Sequence, residues 1–171
     1  VGDSREETKV PIRLKTTIPM AYPQGTRNQC LYLCLASALD YMGLMVEALK
    51  LAARATTTDS LTGNDQIKLL TKHMMEIAPS IGVGVVFNSS QKRKKKKLTM
   101  HDLLHRPSIY PTLVIPLGRD GSVSHAVCVV DDLIFDSTQP WALKCVEESL
   151  SWVCNCGEKG FVDISLAVRF E

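Results

Sequence analysis

Cys30, His125 and Asp136 are the residues of this chain whose types and spacing could together perform nucleophilic acyl transfer. The run Gln24-Gly25-Thr26-Arg27-Asn28-Gln29-Cys30-Leu31-Tyr32-Leu33-Cys34 passes from a polar, glycine-containing loop into an apolar helical stretch, with Cys30 at the junction. A helix's first turn carries unpaired N–H groups and the positive end of its dipole, and both favour a thiolate there. Ninety-five residues on, Ser124-His125-Ala126-Val127 puts a histidine at the entrance of an apolar strand; eleven further, Ile134-Phe135-Asp136-Ser137-Thr138 puts a carboxylate at the end of the next. If a tight turn joins these strands antiparallel, His125 and Asp136 can lie side by side. The carboxylate would then hold the imidazole tautomer while the imidazole takes the thiol proton. Gln24, six residues ahead of Cys30, can aim its side-chain amide at a developing oxyanion, with the Cys30 backbone N–H as second donor.

Other residues of the same types read differently. Cys34 lies one helical turn deeper and belongs to the core. Asp131 and Asp132 compete with Asp136, but they occupy the turn itself and face solvent. His73, His101 and His105 fall on helical stretches as surface or hydrogen-bonded residues. Cys154-Asn155-Cys156, with Cys145 upstream, has neither the spacing of a zinc ligand pair nor a nearby histidine, so no metal and no cofactor is expected.

The elements that must position these groups follow from periodicity. Leu31, Leu35, Ala38, Leu39 and Met42 recur at helical spacing and predict a helix from Asn28 to about Met42 with one buried face, broken at Gly43. Val46 to Ala55 makes a second helix. Asn64-Asp65 caps a third, with a face of Ile67, Leu70, His73 or Met74, and Ile77, ending before Pro79. Strands are expected at Ile81–Phe87, Thr112–Leu117, Val123–Val130, Leu133–Asp136 and Phe161–Phe170, with an edge strand at Val10–Leu14. The Gly118-Arg119-Asp120-Gly121 and Asp131-Asp132 turns join three of them. Thr99-Met100-His101-Asp102 resembles a capping box opening a short helix to His105. Leu143, Val146, Leu150 and Val153 predict a last helical face, stopped by Gly157. Helices followed by an antiparallel sheet define an α+β fold.

At 171 residues, 45% hydrophobic and 22% charged, the chain suits a single folded domain, residues 1–171. Residues 1–22, punctuated by Pro11 and Pro19, read as an extended lead-in; residues 88–98 read as a basic flexible loop. Nothing approaches the roughly 18–20 apolar residues of a membrane span. Val1 to Arg5 is polar and lacks a signal-peptide core. The six cysteines form no compact disulfide pattern, which points to a reducing intracellular compartment, cytoplasmic or nuclear. The net charge of +2 conceals the run Lys92-Arg93-Lys94-Lys95-Lys96-Lys97. It reads first as a solvated loop and second as a nuclear-import or nucleic-acid patch, although no aromatic residue is interleaved for base stacking.

The residues around Cys30 carry a resemblance. Gln24-Gly25, four residues and Cys30 resemble the Gln-Gly-x-x-x-x-Cys signature of papain-like cysteine peptidases, and His125-Ala126-Val127 is similar to the segment around their histidine. The resemblance implies Gln24 in the oxyanion hole, Cys30 as nucleophile, His125 as base and Asp136 as orienting residue, with helices packed against a C-terminal sheet and the nucleophile at the N-terminus of the central helix. It implies a protein or polyprotein substrate and no cofactor. The chain departs from the family's usual Cys-Gly-Ser-Cys-Trp, having Arg27-Asn28-Gln29-Cys30-Leu31, and its cysteine-to-histidine distance is shorter than in papain. It is similar rather to compact members of the superfamily, such as viral or polyprotein-encoded peptidases. Cys30-Leu31-Tyr32 also resembles the nucleophile segment of OTU-type deubiquitinases, which implies a ubiquitin-like substrate as an alternative. Phe135-Asp136-Ser137-Thr138 resembles the aspartate strand of transglutaminase-like domains. A non-catalytic interaction module is the reading from a different class.

Overall fold

A computed structural model describes residues 10–25, 29–89, 109–116, 125–154 and 164–170. Helix α1 (Cys30–Tyr41) is the centre on which the rest packs. It has no glycine or proline and is rich in leucine and alanine, the strongest apolar helix formers. Every residue from Cys30 to Leu39 is buried, which corrects the expectation of a single buried face. A helix apolar all round must be enclosed on all sides. It ends in a Schellman motif: Gly43 N–H reaches Asp40 O and Leu44 N–H reaches Leu39 O. Gly43 takes the left-handed conformation this requires, at φ +84°.

Helices α2 (Met45–Thr58) and α3 (Gly63–Ile77) enclose one side of α1. Helix α2 presents Ala48, Leu51 and Ala55 inward, and α3 presents Ile67, Leu70, Met74 and Ile77. The cap of α3 is Thr62, whose hydroxyl accepts from Asp65 N–H at 3.2 Å. The expected Asn64-Asp65 cap therefore falls inside the first turn, because a hydroxyl two residues earlier reaches the orphan N–H. A 3₁₀ turn, Ala78–Ile81, follows α3. It delays the strand expected at Ile81 until Val85.

The other side of α1 faces a seven-stranded antiparallel sheet. Its strands are β1 (Lys15–Pro19), β2 (Val85–Ser89), β3 (Thr112–Pro116), β4 (Val127–Val130), β5 (Leu133–Phe135), β6 (Trp141–Lys144) and β7 (Ile164–Phe170). Their order across the sheet is β1-β6-β5-β4-β3-β7-β2. The fold is thus α+β. Alternate residues of β4 show why the sheet centre is so apolar. Ala126, Cys128 and Val130 join the core around α1, while Val127 and Val129 are buried as well.

Three further expectations are corrected. The lead-in at residues 1–22 was expected to hold an edge strand at Val10–Leu14. Ile12–Leu14 instead forms a 3₁₀ turn, and β1 follows at Lys15, pairing with β6 at the sheet's edge. Leu143 does not belong to the last helix: Trp141–Lys144 is strand β6, and α4 spans Glu147–Cys154. Asn88 and Ser89 belong to β2 and not to the basic loop. The Lys92–Lys97 run, the Thr99–His105 helix, the Gly118–Gly121 turn, Val123, Ser124 and the start of the last strand at Phe161 lie outside the described residues. Among the described residues no helix is long and apolar enough to cross a membrane.

Candidate active site

In an antiparallel sheet the end of β1, the start of β6, the end of β5 and the start of β4 all meet at one edge of the layer. The residues singled out by type and spacing stand there. Cys30 is the first residue of α1 and is 8% exposed. Its N–H belongs to the first helical turn, whose donors have no partner within the helix. Residue 29, the N-cap, offers no side-chain cap.

The β4–β5 register brings histidine and carboxylate together. Cys128 pairs with Phe135 and Val130 with Leu133, across a two-residue turn at Asp131-Asp132. His125 and Asp136 therefore lie just beyond the paired stretch, at the same end of the hairpin. His125 Nε2 stands 3.1 Å from Asp136 Oδ2. The Cys30 thiol also reaches the ring, and both its hydrogen bond and its charge act on the imidazole. Burial by itself would lower the histidine's pKa, but the hydrogen bonds to Asp136 and Cys30 and their negative charge outweigh it. The result is an upward push to about 10.

Asp136 is held as firmly as it holds. Its Oδ1 accepts from Thr138 N–H at 3.0 Å and from the Thr138 hydroxyl at 2.7 Å, leaving Oδ2 for the imidazole. It is 2% exposed, whereas Asp131 and Asp132 are exposed in the turn, as expected of them.

Gln24 reaches the same place from the far end of β1. Its segment is tied down at three points: Met20 N–H to Pro140 O at 2.9 Å, Tyr22 N–H to Ser37 Oγ on α1 at 3.1 Å, and Gln24 N–H to Ser137 O at 2.7 Å. The Ser137 hydroxyl then donates to Gln24 Oε1 at 3.0 Å. With the amide oxygen fixed in this way, the two N–H groups of the amide nitrogen are what Gln24 has left to donate. Ser137 was not anticipated from sequence. Its only signal was adjacency to Asp136, and a serine after an aspartate is common in turns.

The other thiols differ from Cys30 in setting. Cys34 and Cys128 are wholly enclosed, and burial pushes both thiols upward. Burial and the Asp132 charge raise Cys145 to about 11. His73 is satisfied by Tyr32, whose hydroxyl lies 2.9 Å from its Nδ1. His101, His105 and Cys156 lie outside the described residues. Among the described residues no three His, Cys, Asp or Glu side chains converge as a metal site.

Compared with known protein families, characterised proteins and solved structures, the chain shows no match. Its function has to be argued from the site.

Proposed function

We propose that this chain is a papain-like cysteine peptidase acting on protein or polyprotein substrates. The observation that carries the reading is His125, gripped between the Asp136 carboxylate and the Cys30 thiol at the head of a buried helix. Its raised pKa keeps the ring protonated at neutral pH, and an imidazolium beside the thiol stabilises a thiolate. In the proposed reaction Cys30 Sγ attacks the scissile carbonyl carbon and forms the C–S bond. The oxyanion takes hydrogen bonds from the Gln24 side-chain amide and the Cys30 N–H. His125 gives its proton to the leaving amine as the C–N bond breaks. Water, losing a proton to His125, then hydrolyses the thioester and restores the thiol. Asp136 holds the ring's tautomer and orientation throughout.

The free thiols at Cys30, Cys34, Cys128 and Cys145 suit a reducing intracellular location. Alkylation with limiting iodoacetamide across pH 4–9, read by peptide mass spectrometry, tests the pair. Selective modification of Cys30 at pH 6, abolished by His125→Ala, is the expected result. Equal reaction at all thiols, or peptide cleavage that survives Cys30→Ala, overturns the proposal. Labelling by a ubiquitin C-terminal electrophile but by no peptidyl electrophile would move the substrate class to isopeptides.

A further inference from the structure

The segment Asp136–Pro140 does more than orient His125. Five acceptors in it are committed: Asp136 Oδ1 to Thr138, Oδ2 to His125, Asp136 O to Gln139 N–H, Ser137 O to Gln24 and Pro140 O to Met20. Gln24 Oε1 is taken by Ser137. The side chain of Gln139 stands apart from these. It is 6% exposed, and its Oε1 is the one buried side-chain nitrogen or oxygen among the described residues without a hydrogen-bond partner. A buried orphan acceptor is costly, so folded proteins hold few of them. This one sits three residues from Asp136, in a turn whose two flanks are bonded to the segment that delivers Gln24.

An extended peptide crossing Cys30 brings main-chain N–H groups that lose water as they bind, and each needs an acceptor. The groups proposed to face the reacting carbonyl, the Gln24 amide and the Cys30 N–H, are both donors. We propose that Gln139 is a substrate-binding residue whose amide oxygen, turned outward on binding, accepts a hydrogen bond from a main-chain N–H of the peptide. This rests on the peptidase reading and adds a recognition element to it.

The proposal has an unusual signature, because the free protein gains when the orphan is removed while substrate binding suffers. Gln139→Leu keeps the size of the side chain and deletes both polar atoms. It is expected to raise Tm by up to about 2–4 °C. It should leave the iodoacetamide rate at Cys30 unchanged and slow labelling by randomised tetrapeptidyl vinyl sulfones by roughly three- to tenfold. A backbone N-methyl scan of the same probes should slow wild type at one position and leave Gln139→Leu indifferent there. Equal slowing of both reagents with a lowered Tm would make Gln139 a structural residue, and an unchanged peptidyl rate would exclude the contact; either result overturns the proposal. Failure of the peptidase reading shows separately, as a wild-type Cys30 no more reactive towards iodoacetamide than the other thiols.

Discussion

The Ser137 hydroxyl donates a hydrogen bond to Gln24 Oε1 at 3.0 Å, across 113 positions of sequence, while Asp136 beside it holds His125. Two adjacent residues of one turn thus set both the base and the proposed oxyanion donor. Ser137→Ala should lower peptide turnover by roughly three- to tenfold, the worth of one hydrogen bond. Gln24→Ala should lower it by about 10²–10³. In both variants the iodoacetamide rate at Cys30 should stay at the wild-type value, since alkylation develops no oxyanion. A loss of alkylation in either would mean that these residues support the thiol and not the carbonyl.

Asp136→Asn keeps the shape of the turn but removes the charge that holds the His125 proton. Only Cys30 then opposes burial, and the ring's pKa falls from about 10. Alkylation of Cys30 at pH 6 should drop by about tenfold or more, and turnover by roughly a thousandfold or more. A pH–alkylation profile matching wild type would show that the carboxylate does not govern the pair.

The same group sets a pH dependence of stability. His125 has a folded pKa of about 10 against an ordinary 6.5, so its contribution is fully present below about pH 6.5 and fades as pH rises towards 10. Between pH 6.5 and 8 Tm should fall in wild type and fall less steeply in Asp136→Asn. Above about pH 9 Cys34 and Cys128 add a decline of the same sign, because burial resists their ionisation in the folded state alone. A wild-type Tm flat from pH 6.5 to 8 contradicts this.

His73 works in the opposite direction. Burial comes first and the Arg54 charge second in lowering its pKa, and the ring shares a hydrogen bond with the enclosed Tyr32 hydroxyl. A basic group with a depressed folded pKa costs stability as pH falls below its unfolded value of about 6.5. Tm should therefore decline on the acid side of pH 6.5, and His73→Gln, whose amide can donate or accept but does not titrate, should blunt the decline. Identical acid limbs in the two proteins would place the cause elsewhere.

Asp131 is the one described residue other than glycine with positive φ, at +52° in the β4–β5 turn. Asp131→Val should cost about 1–2 kcal/mol and Asp131→Gly little or nothing. Denaturant titration decides it: equal losses in both would assign the effect to the Tyr41–Asp131 contact at 3.3 Å instead of to the backbone.

What sequence made legible were the places where one short stretch carries its own physics. Cys30 stood out because a polar loop meets an apolar helix there, and the His125–Asp136 pairing followed from a hairpin with a two-residue turn. Strand β6 stayed hidden because Leu143, Val146, Leu150 and Val153 mimic a helical stripe. It lies between β5 and β1, and the β1 pairing sets Lys15 against Leu143 across 128 positions, beyond the reach of any local pattern. The all-round burial of α1 was readable in its uninterrupted apolar run from Cys30 to Leu35, but the helical spacing of Leu31, Leu35, Ala38 and Leu39 drew attention to one face alone. Ser137 and Gln139 became visible only when hydrogen-bond partners could be counted.

The long separation between Cys30 and its partners also sets a schedule. At the usual 5–20 residues per second of protein synthesis, the nucleophile emerges about 5–20 s before Asp136 and Ser137 exist. The base, its orienting carboxylate and the serine that aims Gln24 all come from the later half of the chain. A newborn Cys30 therefore has neither proton acceptor nor oxyanion donor in place. Under the proposed mechanism the thiol therefore waits on residues made later, and its reactivity begins only once the hairpin that carries His125 and Asp136 has folded.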